Sequence, residues 1–171
     1  MADVHLVLGD ITTVSADAIV NASNPQLLPG GGVCGAIHAA AGPDLARACR
    51  EYVRQHGAVP VGHAAMTPGF ALPARFVIHA VGPVWEGGDR GEPALLGSAY
   101  RESIALAEDA GLASIAFPSI STGIYGYPLG LAAPVALAAV ADAVARARHL
   151  RDITFVLFDQ TTFSAYASAA I

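Results

Sequence analysis

The sequence predicts an α/β fold, a sandwich of helices around a central, largely parallel sheet. Three observations predict it. Short apolar runs of strand character alternate with segments of helical length, the pattern of a parallel sheet covered on both faces. Of the 171 residues, 54% are hydrophobic and only 13% charged, so most side chains belong to an interior under a thin polar skin. Two glycine-rich loops each follow a strand and precede a helix, where open α/β sheets place their ligands. A chain of this length suits one domain spanning residues 1–171, and roughly 70% of its unfolded surface is buried on folding without a metal or disulfide.

The elements follow in order. Val4 to Leu8 reads as a strand stopped by Gly9-Asp10. Ala18 to Val20 is a short buried strand leading into the loop Asn21-Ala22-Ser23-Asn24-Pro25. Gly30 to Gly32 form a loop, and a helical pattern runs from Val33 through Ala41 until Gly42-Pro43 breaks it. Asp44 reads as the N-cap of a second helix to about His56. Strands follow at Ala64 to Thr67 and Phe76 to Val81, then a polar surface loop from Gly87 to Gly91. Leu95 to Ala110 is helical, with Leu95, Leu96, Ala99, Ile104 and Leu106 near one face. Ser114 to Phe117 is a strand, Ser119 to Tyr127 a Gly- and Ser-rich loop, and Leu129 to Arg148 a long helix. Ile153 to Phe158 is the last strand, and a short helix starts at Ser164.

Composition narrows the function classes. A net charge of −5 with nine Lys and Arg residues supplies no basic face for a nucleic-acid duplex. A small anion is not excluded, because backbone N–H groups bind phosphate without net positive charge. The most apolar stretch, Leu129 to Ala147, is interrupted by Pro134, Asp142 and Arg146, so it reads as a buried helix and no membrane partner is expected. The start lacks the pattern of a signal peptide, and the two cysteines, Cys34 and Cys49, make no disulfide framework. A reduced, cytoplasmic, monomeric protein is expected. No His, Cys or carboxylate grouping has zinc-ligand spacing, and neither a Walker A loop nor a GxGxxG fingerprint occurs, so no metal and no cofactor are expected.

The chemistry-bearing segments are weak singly. Asp10, in Gly9-Asp10-Ile11-Thr12, could accept a hydrogen bond from an exocyclic amine, or simply close a Gly-Asp turn. Asn21 and Asn24 could bond sugar hydroxyls or a water, or form an Asx-type turn before Pro25. Gly30-Gly31-Gly32-Val33-Cys34-Gly35 opens a helix as phosphate-binding loops do, with glycine for close approach and free N–H groups behind it, unless it is only a flexible turn. Ser121, Thr122, Gly123, Ile124 and Tyr125 offer hydroxyl and N–H groups to a diphosphate, with Tyr125 either covering a ribose or packing.

Their joint order is specific. Gly-Asp-Ile-Thr, Val-Asn-Ala-x-Asn, Gly-Gly-Gly-Val-x-Gly-Ala-Ile-His, Ile-His-Ala-Val-Gly-Pro-Val-Trp and Phe-Pro-Ser-Ile-Ser-Thr-Gly-Ile-Tyr-Gly-Tyr-Pro together resemble the MacroD-like macrodomains, from about Val4 to Phe158. The resemblance implies a three-layer α/β/α fold with a central mixed, largely parallel sheet between helices, ADP-ribose or ADP-ribosylated protein as the partner, and hydrolysis of ADP-ribosyl esters. By similarity Asp10 and Ile11 hold the adenine, with Phe158 and Asp159 at the adenosine end. Ser121 to Tyr125 wrap the diphosphate, Gly31, Gly32 and Val33 close over the distal ribose, and Asn24 stands beside that ribose as a catalytic residue. Asn21 is structural or supports the site from behind.

One position departs. Where these enzymes commonly carry an aspartate after Gly-Gly-Val, Cys34 stands. Its thiol could act as base or nucleophile near a helix N-terminus. Alternatively it is inert, and a ligand phosphate oxygen aligns water with help from Asn24. In the third account the domain is a non-catalytic reader of ADP-ribose. His38, one turn beyond Cys34, and His79, inside a strand, are read as structural.

Overall fold

The computed structural model describes residues 2–171. The order is β1 (Asp3–Leu8), a 3-10 turn (Ile11–Thr13), β2 (Ala18–Ala22), α1 (Gly32–Ala41), α2 (Pro43–His56), β3 (Ala64–Pro68), β4 (Phe76–Ala80), α3 (Glu92–Asp109), β5 (Ser114–Phe117), α4 (Leu129–Val144), β6 (Asp152–Leu157) and α5 (Gln160–Ala169). The six strands form one sheet in the order β1-β6-β5-β2-β4-β3. Every neighbouring pair is parallel except β3 with β4. The largely parallel sheet expected from the alternation is therefore present, and the mixed sheet that the resemblance implies has its antiparallel strand at one edge.

Alternation along each strand divides the interior in two. Val20, Ile78, Ile115, Phe117, Phe155 and Leu157 point to the layer formed by α3, α4 and α5. Ile19, Val77, Ala116 and Val156 point the other way, toward α1 and α2. The first layer is tightly packed because α4 is Ala-rich, and Ala132, Ala133, Ala136 and Ala139 bring its backbone close to the sheet. Its centre is aromatic: the Phe155 ring lies 5.9 Å from Tyr100, 5.7 Å from Phe117 and 5.2 Å from Tyr166.

Element boundaries depart from the sequence reading where side chains capture backbone groups. Gly42, at φ +85, ends α1 and caps α2, with Pro43 in the first turn. Asp44 is thus inside the helix and pairs with Arg47 at 2.6 Å; it is not the N-cap. Helix α3 starts at Glu92, earlier than Leu95, because Glu92 gathers the amides of the preceding loop and Pro93 suits a first turn. Helix α4 stops at Val144, short of Arg148, because Glu108 of α3 accepts from the amides of Arg148, His149 and Leu150 at 2.9–3.0 Å and draws them out of the helix. Helix α5 starts at Gln160, before Ser164, since the Asp159 carboxylate accepts from Thr162 N at 2.8 Å. That cap ends β6 at Leu157 and leaves Phe158 outside it.

Phe155 is fully buried within the ring cluster. Phe155→Ala is therefore expected to lower unfolding free energy by about 3–5 kcal/mol, read from the urea midpoint. A loss below about 1 kcal/mol would mean that the aromatic layer does not carry the packing.

Candidate functional site

The loops leaving the carboxyl ends of β1, β2, β4, β5 and β6 surround one cavity of about 620 Å³. Parallel strands deliver them there because each chain exit lies on the same edge of the sheet. Asp10, Ile11, Asn24, Gly31, Gly32, Val33, Cys34, Ser121, Thr122, Gly123, Ile124, Tyr125 and Phe158 all line it. So does Asp159, whereas Asn21 does not. The strand order spreads these residues along the cavity. Asp10, Phe158 and Asp159 stand at the β1/β6 end, and Asn24 and Cys34 stand beyond β2.

Glycine permits the approach of the two loops. A Cβ on Gly31 would sit 3.1 Å from Ile124 Cδ1, so the loops touch across the cavity. A Cβ on Gly35 would sit 2.5 Å from the Gly30 carbonyl oxygen, which fixes glycine where the first loop folds back over α1. Helix α1 begins without a side-chain cap, so its first-turn N–H groups are open to an anion.

The second loop is held from behind. Tyr100 Oη accepts from Ile120 N at 3.0 Å and donates to Pro118 O at 3.2 Å, and Tyr166 Oη meets Ser119 Oγ at 2.9 Å. Tyr127 N donates to Ser121 O at 2.9 Å, closing the turn. Ser121 adopts φ +69, costly for a residue with a Cβ, and its Oγ is buried without a partner. Gly82 lines the cavity but escapes sequence reasoning: a Cβ there would strike Ser121 Oγ and lie 2.5 Å from Ile120 Cγ2. A glycine just past a strand was its only signal.

At the β1 end, Asp10 Oδ1 accepts from Thr12 Oγ1 at 2.7 Å and Thr12 N at 2.9 Å. Both bonds favour the anion and hold the carboxyl below its ordinary range. Asp10 is therefore a turn-former and a charged acceptor at once. Phe158 at 82% exposure and Ile124 at 80% are bare apolar surfaces on the rim of the cavity.

At the other end, Asn24 closes a turn with its own backbone neighbour. Nδ2 donates to Leu28 O at 2.8 Å and Oδ1 accepts from Leu28 N at 3.0 Å. Cys34 Sγ donates to the same carbonyl at 3.7 Å and accepts from Asn21 Nδ2 at 3.6 Å. Asn21 is fully buried opposite His79 in the β2/β4 register, and its Nδ2 lies 3.2 Å from His79 Nδ1. That contact makes Nδ1 the acceptor and puts the ring proton on Nε2, 3.0 Å from Thr67 Oγ1. Cys49 Sγ lies 3.6 Å from the same Nε2, and burial pushes its thiol up to about 11. Both cysteines are free. His38, one turn beyond Cys34, has no hydrogen bond to Cys34 or to any other described residue.

A Macro domain family model matches residues 20–136. The chain belongs to the macro domain family. This macro domain is 51% identical over 163 residues to the O-acetyl-ADP-ribose deacetylase of Citrobacter rodentium, covering 95% of this chain and 92% of the relative. It is 52% identical over 168 residues to a macro domain-containing protein of Cupriavidus necator, with 97% of each chain covered. Among solved structures, the Oceanobacillus iheyensis macrodomain with ADP superposes at a TM-score of 0.92 and 43% identity, over 96% of this chain and 88% of that one. The Trypanosoma brucei macrodomain in complex with ADP-ribose gives 0.90 at 38% identity, over 98% and 69%. No helix among the described residues is long and apolar enough to cross a membrane.

In this macro domain the buried relay has a pH signature. Burial, reinforced by neighbouring His38, lowers His79 from 6.5 to about 3. The unfolded chain takes up a proton on falling through 6.5 that the folded chain refuses until about 3, so stability is fully present above 6.5 and declines between those values. The urea midpoint is expected to fall between pH 7 and pH 5, and His79→Gln to flatten that dependence by up to about one proton. Parallel pH profiles for the two proteins would show that His79 is not buried in its neutral form.

Proposed function

We propose that the cavity binds ADP-ribose and that the protein, as a single macro domain over residues 1–171, hydrolyses ADP-ribosyl esters, either O-acetyl-ADP-ribose or mono-ADP-ribosylated acidic side chains. The observation that carries this reading is the 3.1 Å approach of the Gly31 Cβ position to Ile124, which joins two glycine loops over one elongated cavity. Adenine belongs at the Asp10 and Ile11 end, where a charged acceptor stands beside the exposed Phe158 ring. The diphosphate belongs against Ser121 to Tyr125, whose buried Ser121 Oγ awaits a partner. The distal ribose then falls under Gly31, Gly32 and Val33, with Asn24 and Cys34 nearest the ester. The relatives named as O-acetyl-ADP-ribose deacetylases and the macrodomains solved with ADP or ADP-ribose support the assignment.

Hydrolysis adds water to the acyl carbon and breaks its bond to the ribose oxygen, releasing a carboxylic acid and ADP-ribose. Among the described residues the lining carboxylates are Asp10 and Asp159, both at the adenine end. With the Asn24 amide committed to Leu28 and Cys34 Sγ turned to the Leu28 carbonyl, no carboxylate among the described residues stands at the ester. Rate then comes from positioning: fixed loops hold the ester against a water oriented by polar atoms, the ligand's own phosphate oxygens included. The missing carboxylate favours a second reading, a reader of ADP-ribose without turnover.

Calorimetry with ADP-ribose and release assays on both ester classes test these readings together. Saturable binding and release above the buffer rate are expected; binding without release leaves the reader, and no binding overturns both. Cys34→Ala should leave the dissociation constant within about threefold, or roughly 0.7 kcal/mol. Cys34→Asp should raise turnover about tenfold or more by supplying the absent base. A fall in turnover on both substitutions would instead make the thiol itself the reacting group.

A further inference from the structure

Glu92 is 1% exposed although it opens α3 beside a surface loop. A buried carboxylate needs donors, and this one has them: Oε2 accepts from Glu86 N and Gly88 N at 2.9 Å each, and Oε1 from Arg90 N at 2.6 Å. The four-residue spacing from Gly88 to Glu92 is thereby closed into a rigid collar. The collar is built against one ring. A Cβ on Gly88, already at φ +94, would lie 2.9 Å from Trp85 Cη2, so the loop backbone rests on the indole. Trp85 faces the pocket loop with its other groups. Its backbone N–H donates to Tyr125 O at 2.9 Å, and its ring packs tilted on Tyr127 at 4.6 Å. Tyr127 is buried and ties back to Ser121 O. The stretch from Ser121 to Tyr127 is thus braced at Tyr125 and Tyr127 by one tryptophan, which the Glu92 collar holds in place. Neither Glu92 nor Trp85 lines the cavity.

We propose that Glu92 is a positioning residue for the diphosphate loop, acting through Trp85 and the collar 86–90. This rests on the binding reading above. Its consequence is specific: loosening the collar weakens grip on the ligand without touching the groups beside the ester. The chain has one tryptophan, so its fluorescence reports the brace directly.

The test compares wild type with Glu92→Gln, which keeps the side-chain volume but turns an NH2 toward backbone donors, and with Gly88→Ala, which presses on the same ring. For both variants the ADP-ribose dissociation constant should rise about tenfold, equivalent to 1.4 kcal/mol. KM should rise in parallel while kcat stays within about twofold, the pattern of lost uniform binding. Added ADP-ribose should change Trp85 emission in the wild type and do so by less than half as much in saturated Glu92→Gln. Hydrogen exchange without ligand should be faster at Gly126 and Tyr127, whose amides close the loop onto Gly123 and Ser121. Unchanged exchange there in both variants, with wild-type affinity, overturns the proposal. Faster exchange with no ADP-ribose binding even in the wild type keeps the brace and overturns only the binding reading.

Discussion

The site depends on how near two backbone segments come to each other above the carboxyl edge of the sheet. Three glycines set that distance. Gly31 leaves room for Ile124, Gly35 lets the Gly30 carbonyl lie on α1, and Gly82 makes space for Ser121 and Ile120. At each place a methyl group would meet another atom at van der Waals distance or closer, and at Gly35 the obstacle is backbone, which has little room to yield. The parallel sheet delivers both loops to one edge, and the glycines allow them to meet. The strained Ser121 and the uncapped start of α1 belong to the two segments that meet there.

The interior supports the loops unevenly. Behind the second loop stand Tyr100 and Tyr166, hydroxyls buried in the aromatic layer and bonded to the chain at Pro118, Ser119 and Ile120. Behind the first loop stands the polar relay of Asn21, His79 and Thr67, which ends on the thiol of Cys34. That relay is directional. Once Asn21 donates to the His79 ring, the ring proton sits on Nε2 facing Thr67 and Cys49, and Cys34 receives an N–H on one side while giving its own hydrogen to Leu28 on the other. An aspartate in its place would meet the same Asn21 donor favourably and the Leu28 carbonyl unfavourably.

Much of this was legible in the sequence because alternation, glycine placement and strand-loop-helix order are local signals. The sheet, both glycine loops and the crowding of Asp10, Asn24, Cys34 and Ser121 to Tyr125 onto one cavity follow from them. Boundaries were not, because they are set by partners distant in sequence. Glu108 reaches forty residues on to end α4 early, and no periodicity within Leu129 to Arg148 encodes that contact. The Gly42 cap displaced Asp44 because a positive φ and a following proline outrank a side-chain cap. Glu92 was hidden for the same reason as Gly82: its meaning lies in what the folded chain brings against it. The Asn24 amide was readable either as ligand-facing or as an Asx-type turn, and its two bonds to Leu28 are those of the turn.

A crystal structure of the protein soaked with ADP-ribose tests the central claim most directly. The two-loop account predicts the diphosphate between the amides of Ser121 to Tyr125 and the start of α1, adenine beside Asp10, and the second ribose beneath Gly31 to Val33. A nucleotide bound outside that channel, or loops that must part by several ångströms to admit it, would contradict the account.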